Sequence, residues 1–325
     1  MRVMVVGLGS MGRRRIRLLK TLDPDSEIIG VDLKRERREQ SEKEFEIRTC
    51  ETLETAIAMG GFDRCFVCTA PLFHAEIISN ALESGLHVFT EINLVSDRYE
   101  ENTRKAKEAG LVLFLSSTPM YKQEILWIDR EIKRQRKALF YNYHYGQYLP
   151  DWHPWENYTE FFAGDKRSSG CRELFGIEMP WILNTFGEIE TVYITGKKIT
   201  ELCIDYPDSY LLQIEHKNGN CGMIAFDVVS RKPVRNLEVY GEDLYLLWAG
   251  KPENLAFRNP ESGEMEYPLK DGLYRTTKGY NELINEQGYL DEIKAFYEVI
   301  NGREKPRYSF EKDKKLLDLL DKYRV

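Results

Sequence analysis

No apolar run in this 325-residue sequence approaches the ~20 residues of a membrane-spanning helix, which argues against an integral helical membrane protein. The opening "MRVMVVGLG" is interrupted by glycine too early to form the apolar centre of a secretion signal. An excess of basic charge is missing as well. The formal charge is −7, so neither nucleic acid nor a membrane surface is expected as a partner. The cysteines at 50, 65, 68, 171, 203 and 221 show no disulfide framework and are scattered as in reduced cytoplasmic proteins, the location expected here. Cys65 and Cys68 do form a C-x-x-C, but inside "RCFVCT", which reads as a strand. Positions three apart on a strand face opposite sides, so two buried thiols are expected and no metal site. The sequence has no internal repeat and no low-complexity linker. It also has no histidine between 154 and 215, an absence that matters below.

What remains is an ordinary globular composition, 42% hydrophobic and 30% charged, long enough for two domains with substantial cores. In the first third, short apolar runs ("RVMVVG", "EIIGVD", "RCFVCT", "LHVFT", "LVLFLSS") alternate with helical patterns. This predicts a parallel sheet covered on both faces, an α/β Rossmann-type domain over residues 1–119. From 120 to 325 the pattern changes to an α+β domain with a large, mostly antiparallel open sheet. A helix is expected near 173–186 and strands near 189–198, 208–216, 221–230, 234–241 and 243–249. "HKNGNC" marks a hairpin, because Asn-Gly accepts the positive φ of a tight turn. "GYLDEIKAFYEVINGREKP" reads as a closing helix with glycine just past its end.

The clearest chemical signal is "VMVVGLGSMG". Gly7, Gly9 and Gly12 follow a strand and open a helix, so the turn at Gly9, Ser10, Met11 and Gly12 can cradle a pyrophosphate on free backbone N–H groups. Asp32 stands 20 residues beyond Gly12, at the end of the second strand, where a carboxylate accepts from the ribose hydroxyls of an adenine dinucleotide. Asp32 would repel a 2′-phosphate, so NAD(H) is favoured and NADP(H) remains possible. Lys34, Arg35, Arg37 and Arg38, and the run Arg13–Arg14–Arg15 with Arg17, read as solvated helix faces, with pairing to a phosphate as the alternative.

With "VGLGSMG", "TAPLFHAEIISNALESGLHVFTEIN" and "GYLDEIKAFYEVINGREKP" assembled, the chain resembles the Gfo/Idh/MocA family over nearly its whole length, most closely over 1–118. The resemblance implies NAD(P)-dependent oxidation or reduction of carbinol carbons of sugars, nucleotide sugars or cyclitols. It also implies a homodimer or homotetramer built through the open sheet. Thr69, Ala70 and Pro71 match the turn beneath the nicotinamide ribose, His74 the histidine after it, and Glu91 the acid that opens a Glu-Lys-Pro motif. His74 is also readable as a helix-start histidine that orders the turn.

The departures from the family are specific. Ile92 and Asn93 replace its lysine and proline, leaving Glu91 and Asn93 to bond at the nicotinamide end. Ile92 has no donor, acceptor or titratable proton. The family's Asp-x-x-x-His falls on "CRELFGIEMPWILNTFG", with Glu173 at the aspartate and Ile177 at the histidine. The "EIN", "SSTP" and "PDWHPWE" segments are similar to a branch that lacks the lysine and is associated with surface-glycan sugars.

Three residues are therefore candidates for proton handling. Glu178 lies among apolar neighbours that would raise its pKa, or else is a structural carboxylate paired with Arg172. Lys122 follows the sixth strand, where loops face the ligand crevice, or else is a solvated helix-start lysine. His153 sits in an aromatic loop whose Trp152, Trp155 and Tyr158 can stack on a sugar, and His144 is a second titratable group nearby. Tyr141, Tyr143 and Tyr145 read as a core or interface face. The expected activity is an NAD(H)-dependent oxidoreductase with a carbohydrate-type substrate and a non-lysine proton donor. The alternatives are NAD-dependent glycoside cleavage without net redox, and a catalytically silent cofactor-binding protein.

Overall fold

A computed structural model describes residues 1–153, 156–270 and 286–325. The chain divides into two compact units. The first comprises Met1–Ser117 and Tyr289–Leu317, the second Thr118–Gly288 and Asp318–Val325.

In the first unit, β1 (Arg2–Val6), α1 (Ser10–Leu22), β2 (Glu27–Val31), α2 (Arg35–Phe45), β3 (Arg48–Cys50), α3 (Leu53–Ala58), β4 (Arg64–Val67), α4 (His74–Glu83), β5 (His87–Thr90), α5 (Tyr99–Glu108) and β6 (Leu113–Leu115) follow one another. The six strands pair in parallel in the order β3-β2-β1-β4-β5-β6. Their near-continuous β-branched and aromatic residues are buried because helices cover both faces. On one face Met4, Ile29, Cys65, Val67 and Val88 pack against Ile78, Leu82 and Ala106 of α4 and α5. On the other, Phe66, Phe89 and Phe114 stand in register on β4, β5 and β6 and stack at 5.0 and 5.3 Å. Strand order turns between β1 and β4, the point at whose carboxyl ends sheets of this kind bind ligands.

The helix that covers the phenylalanine row comes from the far end of the chain. In α8 (Glu286–Ile300), the Phe296 ring lies 5.6 Å from each of Phe66, Phe89 and Phe114. The sequence reading assigned all of 120–325 to the second domain. Contacts instead place Tyr289–Leu317, including most of α9 (Phe310–Lys322), with the first unit. The physical reason is this aromatic row, which needs a partner and finds it in a helix over 170 positions downstream of β6.

The second unit is built on an eight-stranded sheet in the order β14-β13-β12-β11-β7-β10-β9-β8. It contains α6 (Gln123–Arg134), β7 (Phe140–Gly146), α7 (Gly170–Phe186), β8 (Ile189–Lys197), β9 (Ser209–His216), β10 (Cys221–Asp227), β11 (Val234–Tyr240), β12 (Tyr245–Trp248), β13 (Leu255–Arg258) and β14 (Met265–Glu266). All pairs are antiparallel except β7 with β10. β13 and β14 extend the sheet beyond the five strands expected after residue 189. In the β9–β10 hairpin, Gly219 takes φ +87°, as "NG" foretells.

Ser169 opens α7 by accepting the Arg172 N–H at 3.1 Å. The helix covers one face of the sheet: Tyr141 stacks on Phe186 at 3.9 Å, Tyr143 meets Trp181 edge-on, and Phe175 meets Tyr210 and Phe226. Tyr141 and Tyr143 are thus core residues, whereas Tyr145 is half-buried beneath the Arg235 guanidinium. Asn142 and His144 point to the opposite face, near Glu238 and Asp227.

Deleting the Phe296 ring removes the partner of three stacked rings at once. Phe296→Ala is expected to cost ~3–5 kcal/mol of stability, read as a lower urea midpoint with an unchanged slope.

Candidate functional site

The glycine turn after β1 has the geometry that close approach to a phosphate requires. Gly7 adopts φ +91°, and a Cβ there would lie 2.6 Å from the Cys68 carbonyl oxygen. A Cβ on Gly12 would fall 1.8 Å from the Gly7 oxygen. Both positions therefore demand glycine. Gly9 caps α1 without a side-chain bond, and no acid stands in the first turn, so the positive helix end of Ser10, Met11 and Gly12 faces outward for an anion. Asp32 follows β2. Its Oδ2 accepts from the Leu8 N–H and its Oδ1 from the Lys34 N–H, both at 2.8 Å. These bonds hold the carboxylate at the lip of the turn. The donor set fits an adenine dinucleotide: pyrophosphate on the turn and ribose hydroxyls on Asp32.

The strand-end turn Thr69–Ala70–Pro71 is braced by His74. The ring is buried, with Nε2 2.9 Å from the Thr69 carbonyl oxygen and Nδ1 2.7 Å from Asn93 Oδ1. Burial lowers its pKa below the ordinary value and outweighs both bonds. His74 is a neutral strut between that turn and "EIN", and Asn93 is the other end of the strut. Ile92 is only partly buried.

Glu91 is held differently. Arg15, fully buried, binds it through Nε at 2.6 Å and Nη2 at 3.2 Å, and reaches Glu292 of α8 through Nη2 at 2.8 Å. The guanidinium also lies 4.4 Å over the Phe89 ring. Glu292 in turn accepts from the Ser117 N–H at 2.6 Å and from Ser116 Oγ, and burial raises its pKa against the pull of Arg15. The solvated-face reading therefore fails for Arg14 and Arg15, which are 3% and 0% exposed. Arg14 lies over the Tyr289 ring at 4.7 Å. The two carboxylates and this ring are contributed by residues far apart in sequence, so the helical pattern of α1 could not reveal them. Cys65 and Cys68 are buried thiols, and burial pushes the Cys65 thiol up to about 12.

In the second unit, Glu178 on α7 is 0% exposed. Its Oε2 accepts from the Tyr143 hydroxyl at 2.6 Å and from Trp181 Nε1 at 2.7 Å, while Arg235 pairs with Oε1. The partner is Arg235, not the expected Arg172. Arg172 instead donates to the Val325 carbonyl oxygen at 2.8 Å and to Asp321 at 2.7 Å. Glu178 thus has both oxygens engaged inside the core. Lys122 is 6% exposed, not a solvated helix-start lysine, and its side chain abuts Gly288. Nearby Glu124 is 0% exposed with neither oxygen hydrogen-bonded among the described residues. Burial raises its pKa against the opposing pull of Lys122 and Arg235.

His153 packs at a tilt against the Phe161 ring at 4.8 Å and lies 3.6 Å from Glu156. Trp152 donates to the Gln147 carbonyl oxygen at 3.2 Å, and the Tyr158 hydroxyl accepts from the Cys203 N–H at 3.1 Å. Trp155 lies outside the described residues. His144 binds Asp227 Oδ2 through Nε2 at 2.7 Å.

Glu173 gains weight from its position. On α7 only Glu173, Ile177, Leu183 and Asn184 escape full burial, so Glu173 and Ile177, one turn apart, form a partly buried strip near the helix start. Glu173 Oε2 is shielded without a hydrogen bond among the described residues. Burial raises its pKa to about 8. The i, i+4 spacing with the family's Asp-x-x-x-His was the sequence signal for it, weakened because Ile177 is not a histidine.

Residues 1–116 match a family model described as "Oxidoreductase family, NAD-binding Rossmann fold" (GFO_IDH_MocA). No curated protein matches the sequence. Among solved structures, the chain is similar to a UDP-N-acetylglucosamine 3-dehydrogenase, GnnA, from Acidithiobacillus ferrooxidans, with 17% identity, TM-score 0.74, and coverage of 99% of this chain and 96% of that one. It is likewise similar to the WlbA dehydrogenase from Bordetella pertussis in complex with NADH and UDP-GlcNAcA, with 15% identity, TM-score 0.74, and coverage of 98% and 94%. A levoglucosan dehydrogenase in complex with NADH and L-sorbose matches with 14% identity, TM-score 0.77, and coverage of 99% and 95%. At these identities the structures show a shared fold.

A carboxyl that folds with its pKa raised binds more protons folded than unfolded. Stability linked to Glu173 should therefore fall as pH rises from the ordinary 4.5 through about 8. Thermal unfolding between pH 5 and 9 should show this slope in the native chain and a shallower one in Glu173→Gln.

Proposed function

We propose that this chain, whose first 116 residues match the model of the Gfo/Idh/MocA oxidoreductase family, interconverts a hydroxyl and a carbonyl of a sugar or nucleotide sugar with NAD(H). The observation that carries the reading is the glycine turn of β1 with Asp32 at its lip, on a parallel sheet whose strand order turns at that point. When bound, the nicotinamide supplies the hydride chemistry. The chain's own residues bind, orient and handle the proton. Gly7, Gly9 and Gly12 with the start of α1 hold the pyrophosphate, and Asp32 holds the adenosine ribose. His74 and Asn93 brace the Thr69–Ala70–Pro71 turn, and Ile92 adds an apolar wall.

Proton transfer at the substrate oxygen falls to Glu173. It has a shielded oxygen without a hydrogen-bond partner among the described residues and a pKa raised to about 8, matched to acid–base work near neutral pH. Glu178 lacks that freedom, since Tyr143, Trp181 and Arg235 engage it. Lys122 is buried, and His153 packs on Phe161. The similar solved proteins, a UDP-N-acetylglucosamine dehydrogenase and dehydrogenases in complex with UDP-GlcNAcA and L-sorbose, support a carbohydrate substrate. Nucleotide sugars are the first class to try.

Self-association is part of the reading. α7 covers one face of the eight-stranded sheet, while the other leaves Tyr193, Leu211 and Met223 at 67%, 64% and 60% exposure, a face that a second copy would bury.

Absorbance at the nicotinamide band should change with a nucleotide sugar. Glu173→Gln should lower kcat by ~10²-fold or more with NADH affinity retained. NADH binding with no turnover across a broad sugar panel would overturn the redox reading, and full activity in Glu173→Gln would overturn its assignment. Met223→Glu should shift sedimentation towards the monomer, and unchanged sedimentation would place any interface elsewhere.

A further inference from the structure

We propose that Asn93 is a positioning residue that sets the proton of His74. Its side-chain amide donates to His74 Nδ1 and so confines the ring to the tautomer protonated on Nε2, which donates to the Thr69 carbonyl oxygen and fixes the cofactor turn. The inference rests on the NAD(H) reading above and gives a task to the residue that follows Ile92 in the altered motif.

A neutral imidazole has one N–H, and its other nitrogen only accepts. In His74, Nε2 lies 2.9 Å from the Thr69 carbonyl oxygen. That oxygen cannot donate, so the proton belongs on Nε2 and Nδ1 is left as a bare acceptor. Nδ1 faces Asn93 Oδ1 at 2.7 Å and Thr90 Oγ1 at 3.2 Å. The Thr90 hydroxyl has one proton, and it is directed to the Glu91 carbonyl oxygen at 3.1 Å. An amide oxygen against a bare ring nitrogen is repulsive. A second ring proton would relieve the repulsion, but the ring is 1% exposed and burial holds its pKa below the ordinary value. A half-turn of the amide relieves it without burying a charge, since oxygen and NH2 exchange places in nearly the same shape. Nδ2 then donates to Nδ1. No hydrogen bond is given up, because Nδ2 bonds nothing among the described residues where it stands. There it lies near the Tyr99 hydroxyl, which donates to Asp313 Oδ2 at 2.5 Å.

The role calls for an amide. A hydrocarbon side chain would leave Nδ1 unpaired and the proton free to sit on either nitrogen. A carboxylate only accepts, so it would draw the proton to Nδ1, as carboxylates do where they fix a histidine tautomer. The bare Nε2 would then face the Thr69 oxygen, and the turn would lose its brace. Protonating the whole ring would restore both bonds. Glu91, whose charge is held by Arg15, also acts on the ring from the end of β5.

The test reads the tautomer and the turn separately. Nitrogen-15 NMR of the whole histidine-labelled protein tells a protonated ring nitrogen from a bare one, with His74 assigned by its loss in His74→Gln. Fluorescence titration measures NADH affinity. The native ring should carry its proton on Nε2 alone at neutral pH. Asn93→Asp should move that proton to Nδ1 at about pH 9 and weaken NADH there by ~10-fold or more relative to the native chain. At about pH 6, with the ring doubly protonated, the loss should fall below about threefold. A native ring protonated on Nδ1, alone or together with Nε2, would overturn the role of the amide, and this spectrum decides even where Asn93→Asp does not fold. Equal weakening of NADH at both pH values, or none at either, would overturn the positioning of the turn. A native protein that binds no NADH would overturn the NAD(H) reading and the cofactor role of Asn93 with it, while the tautomer is still read from the spectrum.

Discussion

A single buried guanidinium ties together the parts of the first unit that matter. Arg15 projects from the helix that carries the phosphate turn, engages Glu91 at the end of β5, and reaches Glu292 on α8. Burying a charge is costly unless it is paired and hydrogen-bonded, and removing one member of a buried pair typically costs ~3–5 kcal/mol because the other is left uncompensated. The three elements are therefore held to one arrangement, and α8 becomes an integral part of a dinucleotide-binding unit that precedes it in sequence. Phe296 adds the apolar half of the same constraint by packing on the row Phe66–Phe89–Phe114.

This arrangement changes the meaning of the altered "EIN" segment. Glu91 is the ion-pair partner of Arg15, and Asn93 is the partner of His74. Two of its three residues support the cofactor turn from below. The residue between them is where a lysine would have brought a titratable proton, and Ile92 brings none. In the proposed reaction another residue would handle the proton, and α7 offers two very different glutamates. Glu178 is surrounded by three partners, while Glu173 keeps a shielded oxygen unpaired and a raised pKa. Both carboxylates lie on one helix, and hydrogen-bond partners are what separate them.

Much of this protein was legible from short-range pattern. The strand–glycine–helix succession around Gly7 and Gly12, the carboxylate at Asp32, the parallel first domain and the mostly antiparallel sheet beyond it all follow from periodicity and turn chemistry, which are local. Even the β9–β10 hairpin was announced by Asn218 and Gly219. The candidate site was legible only in part. The strip containing Glu173 and Ile177 could be placed on a helix, but whether Glu173 or Glu178 would be paired could not be read from residues equally embedded in an apolar stretch.

What the tertiary structure decided was partnership. It took Arg14 and Arg15 from an apparently solvated basic run into the interior, gave Glu178 to Arg235 in place of Arg172, buried Lys122, and moved Tyr289–Leu317 to the first unit. In each case the deciding interaction joins residues remote in sequence, and burial makes a charge depend on a partner that no local pattern can name. The sequence by itself determined the elements and the dinucleotide turn, because backbone geometry and hydrophobic period act over a few residues. The fate of each charged side chain was set by the fold, because desolvation and ion pairing act through space.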